Sequence, residues 1–504
     1  MSPMLACLDG ATRVPTYARV CGQRWRVSGC RASPSALDLD PDEGLMSESM
    51  WGKQTALAIE NFPISGERID LEWIRAIAHL KAACAQVNAS FSVLDPEVAD
   101  AIVAAADAII AGSHDDQFPV DVFQTGSGTS TNMNVNEVIA TIAAASLGRE
   151  VHPNDAVNAS QSSNDVVPSA LHLAVLILLR DSLQPALDVL ARSLEVKSEQ
   201  WSDVVKAGRT HLMDAVPIML GDVFGGFAAQ VRGGTLHLAD AQPSLLELAI
   251  GGTAVGTGLN APSGFGRRVA EVLCKRTGLP VVEARNHVEA QSARDALVSL
   301  SGVLRGVAIS LHKIANDIRL MGSGPHAGLA ELELPALAAG SSIMPGKVNP
   351  IIPEVVVQVA AQVIGNDAAV AFAGAGGAFE ITATIPVIGR NVIGSIRLLA
   401  AASSVLATKC VDDLQANASR LRAYAEASPS VVTGLNRFLG YAEAANVAQE
   451  ALASGRTIRE VVIARGHVSD GTLSATDLDA ALDVATMARG PHQSETGDDM
   501  QGEH

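Results

Sequence analysis

The chain has 504 residues, which is enough for two to four domains of ordinary size. Its 36 Lys and Arg against 54 Asp and Glu give a net charge of −18 at pH 7, so its surface repels phosphate backbones and anionic membranes. Hydrophobic residues make up 48% of the chain but aromatic residues only 3%, which favours a large core of packed aliphatic helices over a β-sandwich.

The N-terminal stretch differs in composition from the rest of the chain. Residues 1–37 hold five Arg and four Ser but a single acidic residue, Asp9. This composition resembles a mitochondrial transit peptide, although no amphipathic helix is visible there; a disordered extension and a wrongly assigned start codon are the alternatives. We expect residues 1–45 to form a disordered leader and the polar tail, residues 490–504, to be disordered as well.

Three further features bear on the compartment and on partners. The six Cys are scattered, with no metal-like spacing and no signal peptide, which indicates a reducing cytosol. No run of residues suggests a transmembrane helix. We therefore expect a cytoplasmic protein, or a mitochondrial one if residues 1–37 are a transit peptide, with neither nucleic acid nor membrane as partner.

The middle of the chain predicts a bundle of long helices. Apolar residues recur at alternating steps of four and three from Ala293 to Met321, a spacing typical of a helix packed along one face. A helix of this length requires equally long partners, and four further stretches have suitable patterns. The five predicted helices cover residues 166–200, 217–248, 293–321, 353–370 and 386–408.

The helix predicted at 353–370 carries a polar stripe on an otherwise apolar surface. Glu354, Gln358, Gln362 and Asn366 lie four residues apart and so share one face. Such a stripe indicates a polar site, a subunit interface or both. We expect the bundle to belong to a central domain, residues 161–417, between an N-terminal domain at 46–160 and a small helical C-terminal domain at 418–489.

Four short polar clusters lie beside these helices, at residues 126–132, 160–165, 208–211 and 340–350. Each cluster alone is more simply a helix cap or a turn, and Ser163 or Asn164 would cap the helix predicted at 166. Together they supply hydroxyls, amides, a glycine-rich loop and a Lys, which are the groups needed to bind a small anion with two carboxylates. His211, with Glu354 as a carboxylate partner, is a candidate for acid–base chemistry.

The same clusters identify the chain as a member of the fumarase/aspartase superfamily. GSSIMPGKVNP at 340–350 resembles the signature loop of that family, and TGSGTSTNMNVNEV at 125–138, HPND at 152–155, SQSSND at 160–165, GRTHLMDAVP at 208–217 and GGTAVGTGLNAP at 251–262 match as well. The resemblance implies an all-α, three-domain fold with a central five-helix bundle, and a homotetramer that forms a twenty-helix bundle with active sites shared between subunits. His211 and Gly346 favour class II fumarases over aspartases.

The resemblance also implies a reaction and its residues. The reaction is the reversible hydration of fumarate to (S)-malate, without metal or other cofactor; aspartate ammonia-lyase and a non-catalytic structural paralogue are the alternatives. Ser341 would be the base, His211 with Glu354 would handle the departing hydroxide, and Lys347 would stabilise charge. In an alternative assignment the His211–Glu354 pair abstracts the proton through a water molecule. The implied substrate-binding residues are Ser127, Gly128, Thr129, Ser162, Ser163, Asn164, Thr210, Ser342, Lys347, Val348 and Asn349. Arg149, His152, Pro153, Asn154 and Asp155 match a second dicarboxylate site.

Two residues depart from the family pattern. Thr382 stands where relatives commonly carry Asn, and Ala156 replaces the acidic residue that usually follows the HPND motif.

Overall fold

The computed structural model describes residues 49–338 and 340–490. The predicted leader at 1–45 lies outside these residues, and so does the predicted tail at 490–504 except for Gly490. Helices dominate the described chain, and the strands are short. The α-helices, α1 to α17, are Lys53–Asn61, Leu71–Ser90, Pro96–Ile110, Thr129–Leu147, Ser163–Leu178, Gln184–Gln200, Leu220–Ala241, Phe265–Thr277, His287–Ser292, Asp295–Met321, Ile351–Gly374, Ile385–Lys409, Ala418–Ala427, Asn436–Ser454, Ile458–Ala464, Ala475–Ala481 and Val484–Arg489.

The remaining regular elements are short pieces that join these helices. Two π-helical turns and four 3₁₀ turns lie at Pro153–Val157, Leu179–Leu183, Asp115–Gln117, Gln242–Leu245, Val411–Asp413 and Pro429–Leu435. The strands form two-stranded pairs, of which β1–β2, β5–β8 and β6–β7 are antiparallel and β3–β4 is parallel. Strands β1 to β8 are Val205–Thr210, Met213–Met219, Glu247–Leu248, Val282–Glu283, Leu332–Glu333, Gly377–Ala378, Ile381–Thr382 and Gln415–Ala416.

Five long helical segments pack side by side around a common core, as predicted. Helix α6 packs against α7, α7 against α10, α10 against α11, α11 against α12, and α12 against α6, which closes the ring. Helices α5 and α6 form one continuous rod through the π-helical turn at Leu179–Leu183. The apolar seam of α10 is buried from Leu297 to Met321, so its residues form the contact surface that the spacing predicted. Ala293 precedes the helix, which begins only at Asp295.

The bounds of the second predicted helix were wrong at both ends. Residues 213–219 form strand β2, whose pairing with β1 includes Pro217 opposite Ala207. At the other end Pro243 lies in a 3₁₀ turn, because proline cannot donate the backbone hydrogen bond that would continue the α-helix. The observed helix α7 therefore covers only Leu220–Ala241.

The expectation that no segment suggests a membrane span also needs correction. Within the described residues, four helices have both the length and the apolar composition of a membrane-crossing segment: Ser163–Gln200, Asp295–Met321, Ile351–Gly374 and Ile385–Asp413. All four belong to the bundle, where apolar faces pack on one another. Burial covers 72% and 61% of the most apolar windows of the first and last, but only 44% and 33% of those in α10 and α11.

A second, smaller core joins the C-terminal helices to the β1–β2 hairpin. Val205 and Met219 of the hairpin are buried with Val461, Val462 and Leu478 of the C-terminal helices. Helix α13 contacts β1 and α17 contacts β2, so these helices hold the base of the hairpin. The division of the chain at residues 160 and 417 stays a prediction.

Packing within the bundle predicts the effect of one added methyl group. A Cβ at Gly389 of α12 would lie 2.3 Å from Cζ3 of the buried Trp73. Overpacking should outweigh the gain in helix propensity, so we expect Gly389→Ala to lower the free energy of unfolding by about 1–3 kcal/mol. Denaturant unfolding measures this change. Gly394→Ala on the same helix is the matched control, because nothing lies within 4 Å of its Cβ position; an equal loss in both variants would contradict the packing argument.

Candidate active site

The first polar cluster forms a tight turn at the start of α4. Gly128 caps the helix with φ 76°, a left-handed conformation that glycine adopts without strain, and its Cβ would lie 2.7 Å from the Val167 side chain. Gly126 packs directly on the backbone of Ala383, so this loop touches the segment before α12. The turn holds the Ser127 and Thr129 hydroxyls 2.8 Å apart, where they hydrogen-bond each other and leave one hydroxyl hydrogen of the pair free to donate.

The second cluster caps α5, and the cap is not the one expected. Ser162 is the N-cap, in place of Ser163 or Asn164, and its side chain accepts a hydrogen bond from Asn164 N while Asp165 accepts one from Ser162 N. This reciprocal capping box starts the helix three residues earlier than predicted. Asn132 Nδ2 donates to the Ser163 hydroxyl over 3.1 Å, which joins the first and second clusters.

Asp165 is a buried carboxylate that sequence reasoning missed as an organiser of the site. Its second oxygen accepts the N–H groups of Gly251 and Thr253 at 3.1 and 2.9 Å, so it fixes the GGTAVG loop against the start of α5. Burial raises the pKa of Asp165 to about 6, against the opposing effect of these hydrogen bonds. The spacing of Ser162 and Asp165 is a capping-box pattern, so the sequence did carry a signal for it.

The third cluster lies at the tip of the β1–β2 hairpin. His211 and Leu212 both have positive φ, 57° and 61°, as the two central residues of a tight hairpin turn require. The turn exposes Thr210 and His211 to solvent in the single chain. Nearby, Arg209 Nη1 lies 2.8 Å from Oε1 of the fully buried Glu331, so an ion pair ties the strand to the residues that follow α10.

The fourth cluster, residues 340–350, is a loop folded around the Ser341 hydroxyl. The N–H groups of Ile343 and Met344 donate to Ser341 Oγ over 3.2 and 3.0 Å. Gly340 N donates to Lys347 O and Asn349 Nδ2 donates to Gly340 O, which closes the loop at its base. Two backbone donors aimed at one hydroxyl oxygen favour the deprotonated form of that hydroxyl. Ser342, Lys347 and Val348 are exposed on this loop.

The structure does not bring His211 and Glu354 together within one chain. Glu354 is half-buried in the first turn of α11, while His211 is at the exposed hairpin tip, and among the described residues no hydrogen bond or ion pair joins them. The polar stripe of α11 is also divided. Asn366 is buried and donates to Ser395 Oγ on α12 over 3.0 Å, whereas Gln358 and Gln362 remain exposed.

The residues of the expected second dicarboxylate site surround a π-helical turn. Nδ1 of His152 accepts the N–H groups of Asn154 and Asp155, and Pro153 begins the turn. Arg149 Nη2 lies 3.1 Å from Oε2 of Glu97, so its charge is already partly compensated.

The predicted site residues line three separate cavities. Asn154 and Asp155 line one cavity of about 500 Å³ together with Ser162. Thr210 lines another of about 500 Å³ beside Lys313 of α10, and Lys347 lines a third of about 550 Å³ beside His326. The first two polar clusters meet through the hydrogen bond between Asn132 and Ser163. The hairpin tip and the 340–350 loop line other cavities.

The two departures from the family pattern have mild structural consequences. Thr382 is buried and its hydroxyl donates to Ser292 O over 2.8 Å, so a hydrogen-bond donor is kept at this position. Ala156 lies half-buried in the π-helical turn, where its backbone N–H donates to His152 O.

Comparison with known proteins identifies the family. A family model described as "Lyase" matches residues 45–365, and one described as "Fumarase C C-terminus" matches residues 431–489. Two proteins named fumarate hydratase class II, from Mycobacterium tuberculosis and Corynebacterium glutamicum, are 57% and 55% identical to this chain over 88% of its length and 93% of theirs. The chain belongs to the class II fumarase family. It is a lyase, and the resemblance inferred from its motifs is confirmed.

Solved structures confirm the all-α fold of this class II fumarase. The class II fumarase of Schistosoma mansoni superposes with a TM-score of 0.84 at 35% identity, covering 88% of this chain and 96% of that one. A fumarate lyase:delta crystallin from Brucella melitensis, in a structure bound to cobalt, gives a TM-score of 0.83 at 46% identity with the same coverage.

Proposed function

We propose that this chain catalyses the reversible hydration of fumarate to (S)-malate, with Ser341 as the base that removes the C3 proton of malate. The two backbone N–H groups that converge on Ser341 Oγ carry this proposal. An alkoxide at this position would keep both hydrogen bonds, and they would be stronger because the acceptor would be charged. A loop that solvates the deprotonated hydroxyl in this way makes a serine usable as a base near neutral pH.

The reaction explains the types of residue around the site. Loss of the C3 proton leaves an aci-carboxylate intermediate, in which extra negative charge lies on the neighbouring carboxylate. Preorganised donors and the Lys347 ammonium stabilise that charge more than they stabilise the substrate, which lowers the barrier. His211, oriented by Glu354, would protonate the departing hydroxide so that it leaves as water. Each step uses side chains and backbone donors alone.

Binding of the dicarboxylate is assigned to the hydroxyl and amide groups of the clusters. Ser163 Oγ accepts a hydrogen bond from Asn132 Nδ2, so the Ser163 hydroxyl hydrogen is left to donate to a substrate carboxylate. Ser127 and Thr129 hydrogen-bond each other, so this pair has one hydroxyl hydrogen left to donate to the substrate. The remaining donors are assigned to Ser162, Asn164, Thr210, Ser342, Lys347 and Asn349, with Gly128 and Val348 contributing backbone. The second dicarboxylate site is assigned to Arg149, His152, Pro153, Asn154 and Asp155.

We further propose a homotetramer with active sites shared between subunits. One chain leaves apolar side chains exposed along its bundle: Ile309 of α10 is 52% exposed and Phe372 of α11 is 84% exposed. Neighbouring subunits packed on these helices would cover them, since exposed apolar surface of this kind marks association. The same packing would bring the hairpin tip of one chain near α11 of another, where His211 and Glu354 could pair. The acidic surface and scattered thiols support a cytoplasmic location.

Specificity separates the hydratase from its nearest alternative, an aspartate ammonia-lyase. We expect malate turnover to exceed aspartate turnover at least about a hundredfold, or ~2.7 kcal/mol of transition-state stabilisation, because His211 suits hydroxide departure. Absorbance of fumarate, followed with malate and then with aspartate, measures both rates. Comparable rates would overturn the assignment, and no reaction with either substrate would indicate a non-catalytic paralogue.

Removal of the proposed base should act on the chemical step. We expect Ser341→Ala to lower kcat about 100-fold or more while KM changes little, because the base contributes mainly in the transition state. Steady-state kinetics with malate measure both constants. Ser342→Ala is the matched comparison on the same loop and should mainly raise KM. A Ser341→Ala variant with nearly normal kcat would remove Ser341 from the mechanism.

Shared sites predict complementation between two inactive variants. Ser341→Ala and His211→Asn, unfolded together and refolded as a mixture, should regain part of the activity, since some mixed sites would contain both native residues. Each variant refolded alone, and the two mixed without unfolding, are the controls. An active monomer in sedimentation, or no regained activity in confirmed mixed tetramers, would contradict shared sites.

A further inference from the structure

Helix α2, Leu71–Ser90, contains a lysine that faces the protein interior. Lys81 is fully buried, on a helix whose other buried residues are mostly alanine, isoleucine and leucine. A buried ammonium is costly unless its hydrogen bonds are satisfied. Its partners are two neutral side-chain carbonyls, Asn158 Oδ1 at 2.8 Å and Gln161 Oε1 at 3.0 Å. No carboxylate in the described part of the chain forms an ion pair with it.

Asn158 lies just before the second polar cluster, and Gln161 lies within it. Because Gln161 Oε1 faces the lysine, its Nε2 points the other way and donates to Val157 O and Ala159 O. These two hydrogen bonds stabilise the conformation of the loop before α5. Asn158 Nδ2 donates to Gln161 O over 3.3 Å. The ammonium can only donate hydrogen bonds, so both amide groups must turn their oxygen atoms towards it.

The network continues from Asn158 to the substrate-binding hydroxyl. Oδ1 of Asn158 also receives Nδ2 of Asn132 at 3.2 Å and Nδ2 of Asn136 at 3.3 Å, both from α4. Asn132 Nδ2 in turn donates to Ser163 Oγ. If Asn158 turned its amide over, its NH₂ group would face three donors, so the orientation of Asn132 and the free hydrogen of Ser163 both depend on Lys81.

We infer that Lys81 is a positioning residue for dicarboxylate binding, which acts through Asn158 and Asn132 on the Ser163 hydroxyl. This inference rests on the proposed function, because it assigns Ser163 to the substrate. Burial lowers the pKa of Lys81 to about 7, and the negative charge of Asp165 on α5 opposes this shift by favouring the ammonium.

The decisive variant is Lys81→Met, which keeps the length of the side chain and removes its hydrogen bonds and charge. We expect KM for malate and for fumarate to rise about tenfold or more, with kcat reduced by less than about threefold. Cys84→Ala is the control: Cys84 is buried one turn further along α2 and, among the described residues, forms no hydrogen bond with either amide, so the KM of this variant should stay at the native value. A Lys81→Met variant that loses kcat in proportion to its folded fraction, with native KM, would show a merely structural role.

A double-mutant cycle tests the route through Ser163. If Lys81 acts through that hydroxyl, Lys81→Met should raise KM much less in a Ser163→Ala background than in the native protein. Full additivity of the two effects would overturn the inference. If Lys81→Met does not fold, Asn158→Ala takes its place in the cycle, since it breaks the same chain of hydrogen bonds in a half-buried loop. A Ser163→Ala variant with native KM would instead contradict the proposed binding role of Ser163, so the two failures are distinguishable.

Discussion

The apolar seam of α10 is the contact on which the rest of the structure depends. Its leucine, isoleucine and valine side chains are buried between α7 and α11, and the ring of five helices closes around them. Burial of each such side chain contributes roughly 1.5–3 kcal/mol, so a seam of this length defines the relative positions of the helices firmly. Because the polar clusters occupy the ends of these rods and the loops between them, their positions follow from this packing.

Around the bundle, buried carboxylates accept hydrogen bonds from backbone N–H groups of neighbouring loops and helix ends. Glu137 of α4 accepts the N–H groups of Gly52, Gln54 and Thr55, so it holds the first turn of α1. Asp165 holds the GGTAVG loop in the same manner. A buried carboxylate satisfied by several N–H groups costs less than an unpaired one, and it gives a loop one conformation. The fold thus uses buried carboxylates to organise its loops.

The distribution of the site over several surfaces has a simple geometric origin. Helices of 24 to 27 residues, such as α10 and α11, extend for roughly 36–40 Å, so loops at opposite ends cannot meet around a small dicarboxylate. Ser163 and Asn132 meet because α4 and α5 begin side by side. Thr210 of the hairpin tip and Lys347 of the 340–350 loop line other cavities of the chain. Association of several chains is the proposed means of assembling these parts.

Much of this protein could be read from its sequence by periodicity and local chemistry. The spacing of Leu297, Leu300 and Leu304 determines a helix with one buried face, and the polar motifs were sufficient to identify the family. Helix ends were less predictable: Ser162 starts α5 earlier than expected because its capping box with Asp165 completes the first turn, and the pairing of β1 with β2 displaced the start of α7. The burial of Lys81 had no local signal, since a lone lysine in an apolar helix is ordinarily exposed. Only tertiary structure decided that it meets Asn158 and Gln161, because those contacts join residues some 80 positions apart that no local pattern relates.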